Sequence, residues 1–186
     1  MSATPQLESA SLEAKRRLVT QLLQAKLARP RYFPLSYAQQ RLWFLDQLMP
    51  GSTAYNIPVA VRLQGELSVE AVGKSLQEIV RRHEVLRTRF PMRDGEAVQE
   101  ILPAWEAELQ VVDLSGVGEK EREEALAGSI REEAGRGFDL AQGPLLRVKL
   151  VRLSEQEHVL VVSMHHIVSD GLDQMCFPKA NPAVQK

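Results

Sequence analysis

The sequence predicts an α+β fold, helices and strands alternating around one core, on three observations. From Leu35 onward, segments whose apolar residues recur every three or four positions alternate with short extended runs. "LLRVKLVRL" and "HVLVVSMHH" read as two strands of one sheet, joined by the short polar connection Ser154 to Glu157. The second is nearly continuous in apolar residues, as a strand buried on both faces is. Finally, 186 residues with 44% hydrophobic side chains are enough for one sizeable core.

Residues 1–33 are expected to form an amphipathic lead-in helix and a linker. Leu12, Val19, Leu22, Leu23 and Leu27 fall at helical spacing, and basic residues take the other face. Pro30 and Pro34 close that helix, because proline cannot continue one and biases the preceding residue toward extended backbone. A solvated lead-in and a helix that docks on a neighbouring domain both fit. Glu8 and Glu13 speak against a mitochondrial presequence.

The next helix opens at Ser36 as N-cap, sets Ala38, Leu42 and Leu45 on one face, and ends at Pro50-Gly51. "PVAVRLQG" reads as a strand. Ser68 then caps a second helix, with Glu70 favourable in its first turn and Val69, Val72, Leu76, Ile79, Val80 and His83 repeating at three and four. His83 and Glu84 are expected to close it. Asp94-Gly95 between two extended runs has the composition of a tight hairpin turn. "ELQVVDL" reads as a strand, and the charged stretch Glu119 to Glu133 as a helix with Leu126 and Ile130 inward and its acids on a solvated face.

Lysine and arginine total 23 against 24 acids, a net charge of −1, so no long-range field favours nucleic acid or an anionic membrane. One cysteine, Cys176, excludes an internal disulfide or a CxxC metal clip. No apolar run is long enough to span a bilayer and the N-terminus lacks a signal-peptide core, so a cytoplasmic protein is expected.

The chemistry concentrates in "MHHIVSDG", Met164 to Gly171. While the strand stays extended, His165 and His166 point to opposite faces, one to the core and one to a cleft. Asp170 before Gly171 suits a tight turn whose carboxylate caps backbone or pairs with a cation. An imidazole held at a strand end suits proton transfer near neutral pH, the nucleophile being the substrate's own. Two buried, hydrogen-bonded histidines of purely structural role fit the same residues. A metal site lacks a third ligand and a chelating spacing, no GxSxG is present, and Ser169 reads as a turn residue.

Three segments, in order, carry a resemblance. "SYAQQRLWFL" (Ser36 to Leu45), "RHEVLRTRF" (Arg82 to Phe90) and "MHHIVSDG" resemble the first three core motifs of condensation domains of nonribosomal peptide synthetases, and "FDLAQGPLLR" also looks like that family. The last motif is the HHxxxDG signature of the wider superfamily that includes chloramphenicol acetyltransferase. The resemblance implies a chloramphenicol acetyltransferase-like lobe, a mixed β-sheet packed by α-helices, paired in the family with a second lobe across a tunnel. It implies amide formation between a donor thioester and an acceptor amine, both carried on phosphopantetheine arms of carrier proteins, with no cofactor bound directly. Neighbouring synthetase domains are the further partners implied.

By motif position, His166 would face the tunnel and orient the amine or take its proton, and His165 would be largely structural. Asp170 would hold the loop by an ion pair with an arginine, for which Arg87 is the candidate. A backbone N–H at Gly171 would help hold the oxyanion. "RHEVLRTRF" resembles the subclass joining two L-residues, and both histidines set the chain apart from the cyclising subclass. Trp43 and Phe44 are expected as core anchors, and Gln39, Gln40 and Arg41 as a polar helix face.

The family pattern covers 34–171, the N-terminal lobe, and fails in the irregular tail 172–186. A truncated or frameshifted gene with the second lobe absent is therefore the expectation. The alternative to an enzyme is a noncatalytic remnant or carrier-protein-binding module.

Overall fold

The computed structural model describes residues 12–27, 29–104 and 107–169. Helix α1 (Leu12–Leu27) forms where the amphipathic pattern predicts it, with Leu12 and Val19 exposed and an Arg17–Glu13 ion pair one turn apart. Arg31–Pro34, read as linker from the sequence, is instead strand β1. Four residues ending in proline are too short to show a two-residue period, and what makes them a strand is antiparallel pairing with a segment about 65 residues away.

Helix α2 (Tyr37–Leu48) starts in a capping box: Ser36 Oγ accepts from Gln39 N–H at 3.2 Å and Gln39 Oε1 accepts from Ser36 N–H at 2.9 Å. Its buried face is Gln39 and Leu42, not the expected Ala38, Leu42 and Leu45. Gln39, expected on a polar face, reaches Gln99 Oε1 at 3.1 Å, and that bond lets it be buried. Trp43 is partly buried and donates Nε1–H to Phe90 O at 3.2 Å, whereas Phe44, also expected as a core anchor, is exposed.

Strand β2 (Asn56–Gln64) leads to α3 (Val69–Arg82), capped by Ser68 Oγ on Ala71 N–H. Leu76 and Val80 of the periodic set are buried, while Val69 and Ile79 stay exposed. His83 caps the helix C-terminus, and a 3-10 turn Glu84–Arg87 runs into β3 (Thr88–Arg89). The expected hairpin joins β4 (Met92–Arg93) to β5 (Glu96–Ile101). Asp94 at φ 53° and Gly95 at φ 85° give the left-handed pair that matches strand twist. Strand β6 (Leu109–Asp113), α4 (Glu119–Gly135), β7 (Leu146–Ser154) and β8 (Glu157–His165) complete the order.

Among the described residues the strands form two sheets. The smaller has the order β1-β5-β3, with β4 also on β5. The larger, β2-β8-β7-β6, is mixed: β6 runs parallel to β7 and the other pairs are antiparallel. Its central strands are covered on both faces. Val151, Leu153, Val159 and Val161 pack with Leu126 of α4, and Leu146, Val148, Val162 and Met164 share a cluster with Leu42 of α2 and Leu76 and Val80 of α3. That double cover explains the unbroken apolar run of β8.

Candidate active site

Strand β8 ends at His165, and His166–Val168 turn at once into a 3-10 helix that packs against α2. Neighbouring chain grips this junction: His165 N–H donates to Leu145 O at 3.1 Å and His166 N–H to Tyr55 O at 2.8 Å. Asn56, opposite His165 in the register, anchors the same end by donating Nδ2–H to Ala134 O and Arg136 O, at 3.2 and 3.0 Å.

His165 is 2% exposed. Its ring meets Phe138 edge-on, centroids 6.2 Å apart, and lies 6.3 Å from Tyr55. Its Nδ1 accepts the Ile167 N–H at 3.1 Å, so the side chain caps the turn that follows it. Burial, and then the neighbouring His166, push its pKa from 6.5 down to about 4. At neutral pH the ring is uncharged, with the proton on Nε2.

His166 is only partly buried. Its Nδ1 lies 2.7 Å from Ser169 Oγ, and that hydroxyl also donates to His166 O at 2.9 Å. Ser169 is fully enclosed, and its N–H donates to the same carbonyl at 3.0 Å. The two histidines thus differ in burial as strand alternation predicts, but here because the chain leaves the strand at His166.

Arg87, whose side chain is 11% exposed, pairs with Glu84 at 3.0 Å and donates to Leu102 O. Its buried Nε has no hydrogen-bond partner among the described residues. Arg31 also pairs with Glu84, and that bond is the main reason the carboxyl sits below the usual range. None of the Arg87 contacts described reaches His165 or His166. Asp170 and Gly171 lie outside the described residues.

The wall behind His165 was not legible as such in the sequence. Phe138 is pinned by Arg147, whose guanidinium stacks 3.7 Å over the ring. Gly137 brings this loop against the Gly51 backbone, where a Cβ would sit 2.5 Å from the carbonyl oxygen. Arg147 in turn pairs with Glu133 at 3.0 Å, and Lys149 pairs with the same carboxylate at 3.0 Å. Glu133, 4% exposed, therefore departs from the solvated acidic face expected of α4. A groove of about 620 Å³ passes this cluster, lined by Glu133, Arg136, Phe138, Leu146 and Arg147 among others. Ser169 was also missed as a partner, although its three-residue spacing from His166 is the one a 3-10 turn brings together.

Among the described residues no group of three or more His, Cys, Asp or Glu is placed to hold a metal ion, and no helix is long and apolar enough to cross a membrane. The arrangement offers a partly buried imidazole at a strand end, next to a neutral buried one.

Comparison with known proteins agrees on the family of this site. Residues 30–174 match the model of the condensation domain. The chain is 56% identical over 138 residues to a linear gramicidin synthase polypeptide of Brevibacillus parabrevis, covering 74% of this chain and 2% of that protein. Malpinin synthetase of Mortierella alpina is 43% identical over 145 residues, covering 78% and 2%. Among solved structures, the starter condensation domain of rhizomide synthetase RzmA superposes with a TM-score of 0.66 at 23% identity, covering 74% of this chain and 34% of that one. The chain thus spans a small part of these synthetases and about a third of that structure.

Proposed function

The chain belongs to the condensation-domain family of nonribosomal peptide synthetases, and from that premise we propose that its His166 site takes part in joining two carrier-bound substrates through an amide bond. The acceptor's α-amine attacks the donor thioester carbonyl; the C–N bond forms, the C–S bond breaks, and the phosphopantetheine thiol leaves. The amine proton passes through His166 to the departing sulfur. His165 stays neutral and holds the turn. Asp170 pairs with Arg87 to tie down the loop, a reading supported by the buried Arg87 Nε without a partner among the described residues. A backbone N–H at Gly171 helps hold the developing oxyanion. The donor is L-configured, a reading supported by the form of the motif "RHEVLRTRF". Carrier proteins and neighbouring synthetase domains are its partners, and phosphopantetheine enters only as the arm of the substrates, in the cytoplasm.

The observation that carries this reading is the partly buried His166 at the end of a strand enclosed on both faces, its Nδ1 held by Ser169. The test supplies two loaded carrier proteins, with the remainder of a condensation domain as a separate chain, and follows the product by intact mass. A lengthened acceptor that drops by about 100-fold or more in His166→Ala is expected. Carrier binding without any His166-dependent product would replace catalysis with the noncatalytic binding module.

A further inference from the structure

We propose that Ser169 is a positioning residue that sets the tautomer of His166, so that the two adjacent histidines carry opposite tautomers. The Ser169 hydroxyl has one proton and, among the described residues, two close partners, His166 Nδ1 at 2.7 Å and His166 O at 2.9 Å. A carbonyl oxygen can only accept, whereas Nδ1 can donate or accept. If the hydroxyl proton goes to the carbonyl, Oγ is left to accept from Nδ1–H and both contacts are hydrogen bonds. If it goes to Nδ1, two oxygens face each other at 2.9 Å with no proton between them. Ser169 is 0% exposed, so no solvent can relieve that second arrangement.

The neutral His166 ring therefore holds its proton on Nδ1 and its lone pair on Nε2. At His165 the opposite holds, because its Nδ1 accepts from Ile167 N–H at 3.1 Å. One 3-10 turn writes both assignments: a backbone amide two residues after the first histidine, a hydroxyl three residues after the second.

On the amide-forming role proposed above, this has a direct use. Nε2 is then the nitrogen that takes up the amine's proton, and Nδ1–H donates to Ser169 in both the neutral and the charged ring. Proton uptake needs no rearrangement of the turn.

The test reads the tautomers directly and without substrates, so it can fail while the amide-forming reading stands, and the reverse. The whole chain is labelled with ¹⁵N-histidine, two-bond ¹H–¹⁵N spectra are recorded above the titration range, and the four histidines are assigned by single His→Gln variants. The expected result is a majority Nδ1–H form at His166 and a majority Nε2–H form at His165. A majority Nε2–H form at His166 would overturn the proposal. Ser169→Ala should then shift His166 to a majority Nε2–H, and Ser169→Thr, which keeps the hydroxyl, should restore Nδ1–H. An unchanged spectrum in Ser169→Ala would show that the hydroxyl does not set the tautomer. Should that variant fail to fold, Ser169→Cys keeps the shape with a weaker acceptor, and an unaltered tautomer ratio there counts against the proposal equally.

Discussion

The two sheets handle charge in opposite ways. In the larger sheet, Arg147 and Lys149 project toward α4 and share the carboxylate of Glu133, with side chains 16%, 7% and 6% exposed. In the smaller sheet, Glu100 takes hydrogen bonds from Arg89 at 2.7 Å and Tyr32 at 2.9 Å, and both donors reach solvent. Burial alone would raise both carboxyls; their cationic partners, with the Tyr32 hydroxyl at Glu100, overcome it and hold both below the usual range. The difference lies in what each cluster supports. The Glu133 cluster fixes Arg147, Arg147 stacks on Phe138, and Phe138 packs on His165. The Glu100 cluster ties the central strand β5 to β1 and β3 beside exposed Tyr32 and Phe33. A buried ion cluster is a poor source of net stability but a stiff one, because neither partner can move without stranding the other.

The sharpest way to break this contrast is Glu133→Gln, which leaves Arg147 enclosed without its carboxylate partner and Lys149 with the more distant, exposed Glu132 at 3.6 Å. A loss of about 3–5 kcal/mol in chemical denaturation is expected. The Phe138–His165 contact should loosen with it, read from the His165 ring resonances.

A smaller effect comes from pH. His165 has its pKa lowered to about 4 in the folded chain, against 6.5 unfolded, so below pH 6.5 the unfolded state binds the extra proton first. Stability should rise with pH between about 4 and 6.5, and its His165 share, at most about 3 kcal/mol, should be complete above that window. In His165→Asn the slope in that window should flatten. Below about pH 4.5, loss from Glu133 and Glu100 should persist in the variant, since their depressed pKa values place the loss at lower pH.

The smallest effect is expected in the smaller sheet. Glu100→Gln should cost only about 1 kcal/mol, as its partners can turn to water. Glu78, held at about 2 by Arg81 and Arg82 on the solvent-facing side of α3, makes the limiting case, and Glu78→Gln should leave the melting temperature unchanged. A Glu100→Gln loss as large as that of Glu133→Gln would erase the distinction between the sheets.

Much of the fold was legible because its signals are local. Ser36 and Ser68 mark helix starts, Asp94-Gly95 marks the hairpin, and the apolar run of β8 marks a strand covered twice. Three motifs in order were enough to point to the family, and residues 30–174 match it. What escaped depends on partners distant along the chain. Strand β1 exists because β5 pairs with it, Gln39 is buried because Gln99 meets it, and Glu133 leaves the solvent because two cations of β7 lie beneath α4.

The histidine pair divides the same way. The sequence by itself determined that two imidazoles stand at the end of a buried strand, since alternation and hydrophobic patterning are properties of consecutive residues. Only the tertiary structure decided how they differ. Phe138 and Tyr55 enclose His165 and depress its pKa, and the turn against α2 sets Ser169 Oγ on Nδ1 of His166. Desolvation and hydrogen-bond direction are set by whatever surrounds a side chain in space, and no period along the chain encodes that.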